Sequence, residues 1–207
     1  GWFLPTVSNR AFEREQAAVQ NEKRLRVDNR PYGHQNYAMI KNMYPNDHPY
    51  SWTVIGELED LQSSTLEDAR DFYNKWYGPN NATISISGDI DKKEVKKLVE
   101  KYFTEIKKGT AVINPEPWLV TLDETKKVYH EDNFARSPRL QMTFPTVDQR
   151  NPDKHALILL AQLLSDGRKS VLYNKIVEEG KLAPNISASN SSIEIAGTFN
   201  ITSTGFQ

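Results

Sequence analysis

The sequence predicts an α+β fold, a mostly antiparallel sheet with helices on one side. Three observations lead there. Helix-like and strand-like stretches are grouped rather than strictly alternating, in the order helix, helix, strand, helix, linker, strand, strand, helix, helix, strand, strand. Residues 82–87, Ala-Thr-Ile-Ser-Ile-Ser, alternate strictly between apolar and polar, which is the period of a half-buried strand. Residues 185–195 and 197–204 read as a strand pair that ends the chain.

In chain order, residues 2–7 form an apolar lead-in. Ser8 is placed to cap a first helix running to about Val27, rich in Glu, Ala, Gln and Arg and free of Gly and Pro. Asp28-Asn29-Arg30-Pro31-Tyr32-Gly33 breaks it with turn chemistry. Residues 37–44 make a short helix or irregular piece, 45–50 a loop, and 52–61 an ambiguous stretch. Thr65 opens a second helix, with Asp68 three residues on as its capping-box acid. Leu66, Ala69, Phe72, Tyr73 and Trp76 give that helix an apolar face, and Gly78-Pro79-Asn80 stops it. After the strand at 82–87, Asp91 caps a third helix. Residues 104–118 lack periodicity and hold Pro115-Glu116-Pro117, so they read as a linker. Beyond it lie strands at 119–130 and 139–144, a strongly apolar helix at 156–164 capped by Asp153, a helix at 170–179 closed by Gly180, and the final strand pair.

The totals bound the function. The chain has 207 residues, enough for one large or two smaller domains with a buried core. A net charge of −1 gives no electrostatic case for nucleic acid or a membrane surface. The longest apolar run is too short to span a bilayer. With no cysteine, thiolate metal sites, disulfides and a Cys nucleophile are excluded. A start at Gly1 and an end directly after a strand-like stretch raise the expectation of a part of a longer protein.

The first helix carries the most pointed feature. Phe12, Glu15, Val19 and Glu22 follow at steps of three, four and three, which puts two carboxylates and two apolar side chains on one face. A carboxylate facing a core needs a cation, a shared proton or a metal. From composition alone a solvated face is the simpler reading, and a metal ligand with a supporting acid is the functional one. Hydrolytic zinc takes three protein ligands, often two His and a Glu. His34, His48, His130 and His155 form no His-Glu-x-x-His or His-x-x-Glu-His pattern, and each reads as a surface or capping histidine. No Gly-x-Ser-x-Gly elbow, Walker loop or Gly-x-Gly-x-x-Gly is present.

The order of motifs resembles the pitrilysin-type zinc metallopeptidases, the inverted zincins. Glu15-x6-Glu22 is followed by Asp28-Asn29-Arg30-Pro31-Tyr32-Gly33, His48-Pro49-Tyr50-Ser51, Ile55-Gly56 and Glu59-Asp60-Leu61. Tyr77-Gly78-Pro79-Asn80-Asn81, Gly88-Asp89-Ile90-Asp91 and Leu98-Val99-Glu100-Lys101-Tyr102-Phe103 come next in the family's order. Past the linker, Ala156-Leu157 to Leu164, Asp166-Gly167-Arg168-Lys169-Ser170 with Leu172-Tyr173, and Val177-Glu178-Glu179 also fit. Each piece is weak alone; their shared order covers nearly the whole chain.

The resemblance implies a LuxS/processing-peptidase-like metallohydrolase fold and parts of two such domains. Residues 1–107 would be the C-terminal part of the first, 108–118 a linker, and 119–207 the N-terminal part of a second, non-metal domain. It implies Zn2+ in the intact protein, Glu22 as one zinc ligand and Glu15 as the nearby supporting acid. The two His ligands and the general base, carried by His-x-x-Glu-His in the family, would lie upstream of this chain. The family's substrate-reaching Arg and Tyr fall at Val177 and Pro184 here, so a second half of the same chain or a partner subunit would have to supply them. The implied function is part of a zinc-dependent metalloendopeptidase acting on peptides or small unfolded proteins, this piece inactive by itself, in the periplasm or envelope of a bacterium. The alternative is a non-catalytic homologue serving as a structural or partner subunit.

Overall fold

A computed structural model describes residues 8–206. The lead-in at residues 2–7 lies outside the described residues. The chain divides into two units, one made of residues 1–20 and 57–114, the other of residues 21–56 and 115–207. The boundary falls inside the first helix, and the linker stretch 108–118 is shared between them. The α+β class holds: helices accompany a small, wholly antiparallel sheet.

In the first unit, α1 (Asn9–Lys23) begins as its residues dictate, with the Ala11 N–H donating to Ser8 Oγ at 3.3 Å. Gln16 ties α1 to the end of α3 (Leu58–Ser63), donating to the carbonyls of Leu61 and Ser64 at 2.7 and 3.2 Å. The Thr65–Asp68 capping box at the head of α4 (Leu66–Trp76) is complete, each side chain accepting from the other's backbone N–H. Asp91 caps α5 (Lys92–Phe103), accepting from Lys93 and Glu94 at 2.8 and 2.9 Å. The alternating stretch 82–87 has no ladder partner among the described residues and forms no strand. Alternation fixes which side chains share a face, but a strand also needs a neighbour for its backbone groups. The buried apolar side chains among the described residues all belong to the other unit. This unit leaves Phe72, Ile84, Ile86, Leu98 and Tyr102 exposed.

The second unit contains the core. After α1 the helix widens into a π-helical turn, Arg24–Asp28, one residue past the expected end. α2 (Gln35–Met43) then supplies Ile40 and Met43, which with Tyr44 and Ala196 form the buried cluster. Burial and the neighbouring Tyr50 push the Tyr44 phenol up to about 12. β1 (Arg139–Thr146) and β2 (Ser187–Ser192) flank β3 (Gly197–Thr204), in the order β1-β3-β2. The register lines up Met142, Ile201 and Ala188 across the three strands, and likewise Thr143, Asn200 and Ser189, so the sheet has one largely apolar and one polar face. On the polar face Gln141, Thr143 and Asn200 are joined by hydrogen bonds. α6 (Asp153–Ser165) is fastened to β2 by Ser165 Oγ, which accepts from the Ala188 N–H at 2.7 Å.

Three local expectations are corrected here. Residues 119–130 join no ladder; the Trp118 N–H pairs with Ile195 O at 2.7 Å and the following residues find no strand beside them among those described. Asp153 is the first helical residue, and Asn151 accepts its N–H at 2.9 Å, one Asx residue displacing another at the cap. The helix expected at 170–179 is present over 171–179, but only α7 (Val171–Tyr173) is α-helical and Asn174–Glu179 continues it as a π-helix. It closes with Lys181 rather than Gly180 in the left-handed conformation, at φ 47.

Candidate functional site

Glu15 and Glu22 both pair with arginines of their own helical segment. The Glu15 carboxylate lies 3.0 Å from Arg14, and its side chain is 67% exposed. The Glu22 carboxylate lies 3.0 Å from Arg26, one turn on, at 43% exposure. The i,i+4 pair of Glu22 with Arg26 is of a kind that contributes only about 0.3–0.5 kcal/mol. Phe12 and Val19 are half-buried. Of the three ways to satisfy these acids, a cation is the one the chain itself provides.

The turn that follows Glu22 is held far more firmly than the two acids. Lys23 and Asp28 meet at 3.4 Å, and His34 Nε2 lies 3.7 Å from the same Asp28 oxygen. Tyr32 sits in the left-handed region at φ 59, uncommon for a side chain of its size. Asp132 holds it there by accepting the Tyr32 N–H at 2.6 Å. The Tyr32 hydroxyl donates to Ser137 O at 2.8 Å, and the Arg139 guanidinium stacks 3.5 Å from the ring centroid. Arg139 also donates to Gln35 at 3.1 Å, and Gln35 hydrogen-bonds Gln141. The loop 28–35 is thereby fastened to residues 132–141, about a hundred positions away. Nothing local in the sequence marks Asp132 or Arg139 as partners; only the Pro31-Tyr32-Gly33 turn hints at an unusual backbone.

Asp132 also accepts from Phe134 and Ala135 at 2.8 and 2.9 Å. These backbone donors, Phe134 first, hold its carboxyl below the ordinary value, with the nearby His130 adding to the effect. A carboxyl depressed in the folded chain contributes its stabilisation above the unfolded pKa, about 3.9, and loses it as pH falls through the folded value. The Tyr32 amide is therefore expected to keep the hydrogen-exchange protection that Asp132 gives it at pH 5 and above, and to lose it only as pH falls through the lowered folded-state value, below the ordinary carboxylate range. An Asp132→Ala variant should show weak protection on both sides of that value.

The four histidines do not form one cluster. His34 and His130 lie with ring centroids 5.8 Å apart. His155 is in the first turn of α6. His48, expected at the surface, is fully buried against Tyr44 and Trp118. Its Nδ1 accepts the Tyr50 N–H at 3.0 Å, so the proton is on Nε2, which lies 3.0 Å from Trp118 O. Both nitrogens are used within the fold. A hydrolytic zinc needs three protein ligands. Glu22 offers one, and among the described residues no three His, Asp or Glu side chains come together to hold a metal. The residues present do not by themselves fit a zinc ion. Val177 lies in the π-helical turn, and Pro184 follows the buried Ala183; neither carries a group that could bind a peptide by charge or hydroxyl.

Comparison with known proteins gives a consistent result. Residues 63–206 match the family model described as the peptidase M16 inactive domain. The chain is 29% identical over 194 residues to the zinc protease PqqE of Helicobacter pylori, covering 91% of this chain and 43% of that protein. It is 23% identical to the probable inactive metalloprotease YmfF of Bacillus subtilis, covering 87% and 43%. The crystal structure of a protease from Helicobacter pylori superposes with a TM-score of 0.80 at 27% identity, over 97% of this chain and 49% of that one. The chain thus spans about half the length of the curated relatives it matches. Among the described residues no helix is long and apolar enough to cross a membrane.

Proposed function

Because the chain belongs to the peptidase M16 family, we propose that it is part of a zinc-dependent metalloendopeptidase that hydrolyses peptides or small unfolded proteins. The observation that carries this is the likeness to a zinc protease sustained over 91% of the chain. In this reading residues 1–107 end one peptidase domain, 108–118 link, and 119–207 begin a second. Glu22 contributes one zinc ligand and Glu15 supports it. The remaining ligands, the general base and the groups that grip the peptide come from a second half of the same chain or a partner subunit. The peptide is enclosed between two halves, and the 207-residue chain alone is inactive.

The test compares the product of the complete gene with its Glu22→Gln variant. Zinc affinity, measured by chelator competition, is expected to fall by more than the ~100-fold typical of losing a group that only supports a ligand. Unchanged zinc affinity removes Glu22 from the site. Stoichiometric tight zinc binding and peptide turnover by the isolated chain would contradict its proposed dependence on other polypeptide.

A second reading is a non-catalytic homologue with a structural or partner role. It is supported by the arginine pairing that already satisfies both acids, and by the likeness to a relative named as probably inactive. A His-x-x-Glu-His segment in the complete gene favours the enzyme; its absence there favours the scaffold.

A further inference from the structure

We propose that Asp132 and Arg139, from the part of the chain past the linker, are positioning residues for Glu22, acting through Tyr32. This role presupposes that Glu22 is a zinc ligand. The two acids of α1 fall in different units: Glu15 clusters with residues 57–114, Glu22 with residues 115–207. The carboxylate assigned to the metal thus belongs with the later residues. Its own pairing cannot place it, since the contact with Arg26 is exposed and weak, whereas a ligand must be held to about 0.5 Å.

The path from Glu22 to the two anchors is short and bonded at each step. Lys23, next to Glu22, meets Asp28 at 3.4 Å across the π-helical turn, with its side chain only 12% exposed. The Asn29 N–H donates to Arg24 O and the Gly33 N–H to Arg30 O, both at 2.9 Å, folding the chain back onto the helix end. Gly33 packs so closely on the Val27 carbonyl that a Cβ there would overlap its oxygen. The turn therefore moves as one piece with the last turn of the Glu22 helix, and is placed by whatever grips it.

The grip is on Tyr32. A glycine adopts φ 59 freely, and a tyrosine keeps that conformation only where its surroundings enforce it. Asp132 accepts its N–H at 2.6 Å, Ser137 O accepts its hydroxyl at 2.8 Å, and Arg139 lies 3.5 Å over its ring. Each anchor is itself fixed. Asp132 accepts the Phe134 and Ala135 N–H groups, and Arg139 donates to Thr204 Oγ1 on β3 at 3.2 Å. Backbone, hydroxyl and ring of one residue are thus held from one side by groups that are already in place, which is what sets a position rather than merely adding a contact.

The test uses the product of the complete gene. Zinc affinity, by chelator competition, is expected to fall about 10-fold in Asp132→Ala, the lower end of what contacts supporting a ligand contribute. Asp132→Asn, whose side-chain oxygen can accept the same three N–H groups, is expected to restore it. Arg139→Ala reaches Tyr32 from its ring side, leaves the Asp132 turn intact, and is expected to weaken zinc binding in the same direction. His48→Phe alters the buried core of the same unit and is expected to leave zinc affinity unchanged. Hydrogen exchange in Asp132→Ala is expected to speed up at Asn29 and Gly33 and not in α6. Unchanged zinc affinity in Asp132→Ala beside a loss in Glu22→Gln overturns the positioning role and leaves Glu22 a ligand. Unchanged affinity in Glu22→Gln removes the ligand, and the positioning role with it. A loss in His48→Phe equal to that in Asp132→Ala marks a general loosening of the unit and overturns the proposal, as does an Asp132→Asn variant no better than Asp132→Ala.

Discussion

Replacing His48 with alanine is expected to cost the second unit about 3 kcal/mol, the sum of a cavity and two stranded hydrogen-bonding groups. The ring is fully buried, stacked 4.4 Å from Tyr44 and tilted against Trp118 at 4.7 Å. Its two nitrogens join Tyr50 to Trp118, Trp118 bonds Ile195, and the Ile195 N–H in turn donates to the Tyr50 hydroxyl at 3.2 Å. The loop after α2, the start of the 118–130 stretch and the β2–β3 connection therefore close one ring of contacts through this side chain. His48→Phe separates the parts: it keeps most of the volume and loses both hydrogen bonds, leaving a cost of about 1–3 kcal/mol. Urea denaturation followed by tryptophan fluorescence measures both. A loss below about 1 kcal/mol for His48→Ala would mean the ring is not a core element.

Gly33→Ala is the second large effect, expected at about 2–3 kcal/mol from overpacking against backbone. A methyl group at Gly33 would land on the Val27 carbonyl oxygen, and would lie 2.8 Å from the Val27 carbonyl carbon and 3.0 Å from Arg30 O. Backbone cannot step aside as the tip of a long side chain can. The clash falls on the turn that closes the Glu22 helix, so the disturbance is local. Hydrogen-exchange mass spectrometry should show lost protection at Asn29 and Gly33, whose amides bond Arg24 and Arg30, with α6 and β3 unchanged. Unaltered exchange in the 24–33 segment would refute the close packing.

What was legible in the sequence was whatever three or four neighbouring residues decide. Ser8, the Thr65–Asp68 box and Asp91 cap their helices because a side chain and the amide it meets are within one turn. Asp153 failed as a cap because Asn151 competes for the same job two residues earlier. The stretches 82–87 and 119–130 have strand composition, but composition does not supply a neighbour. His48 looked like a loop histidine between prolines; its burial is decided by Trp118, seventy positions on. The Tyr32–Asp132–Arg139 seam is equally non-local, joining residues that no short window contains. The two acids of α1 were found by spacing, and their arginine partners lie one and four residues away, close enough to be read but outweighed by the apolar stripe.

The π-helical turn at Arg24–Asp28 has a consequence for how this segment tolerates changes in length. A wide turn holds one residue more than an α-helix needs over the same rise, so it behaves as an absorbed insertion. Deleting a single residue within it would restore an ordinary helix and leave the sequence on both sides in phase. A deletion within the ordinary turns of α1 has no such reserve, and would rotate one side against the other by about 100°. Tyr32 is therefore expected to keep its bond to Asp132 after the first kind of deletion. Homologous chains that differ by one residue between Glu22 and the proline turn should share that latch, with the gap placed in the wide turn.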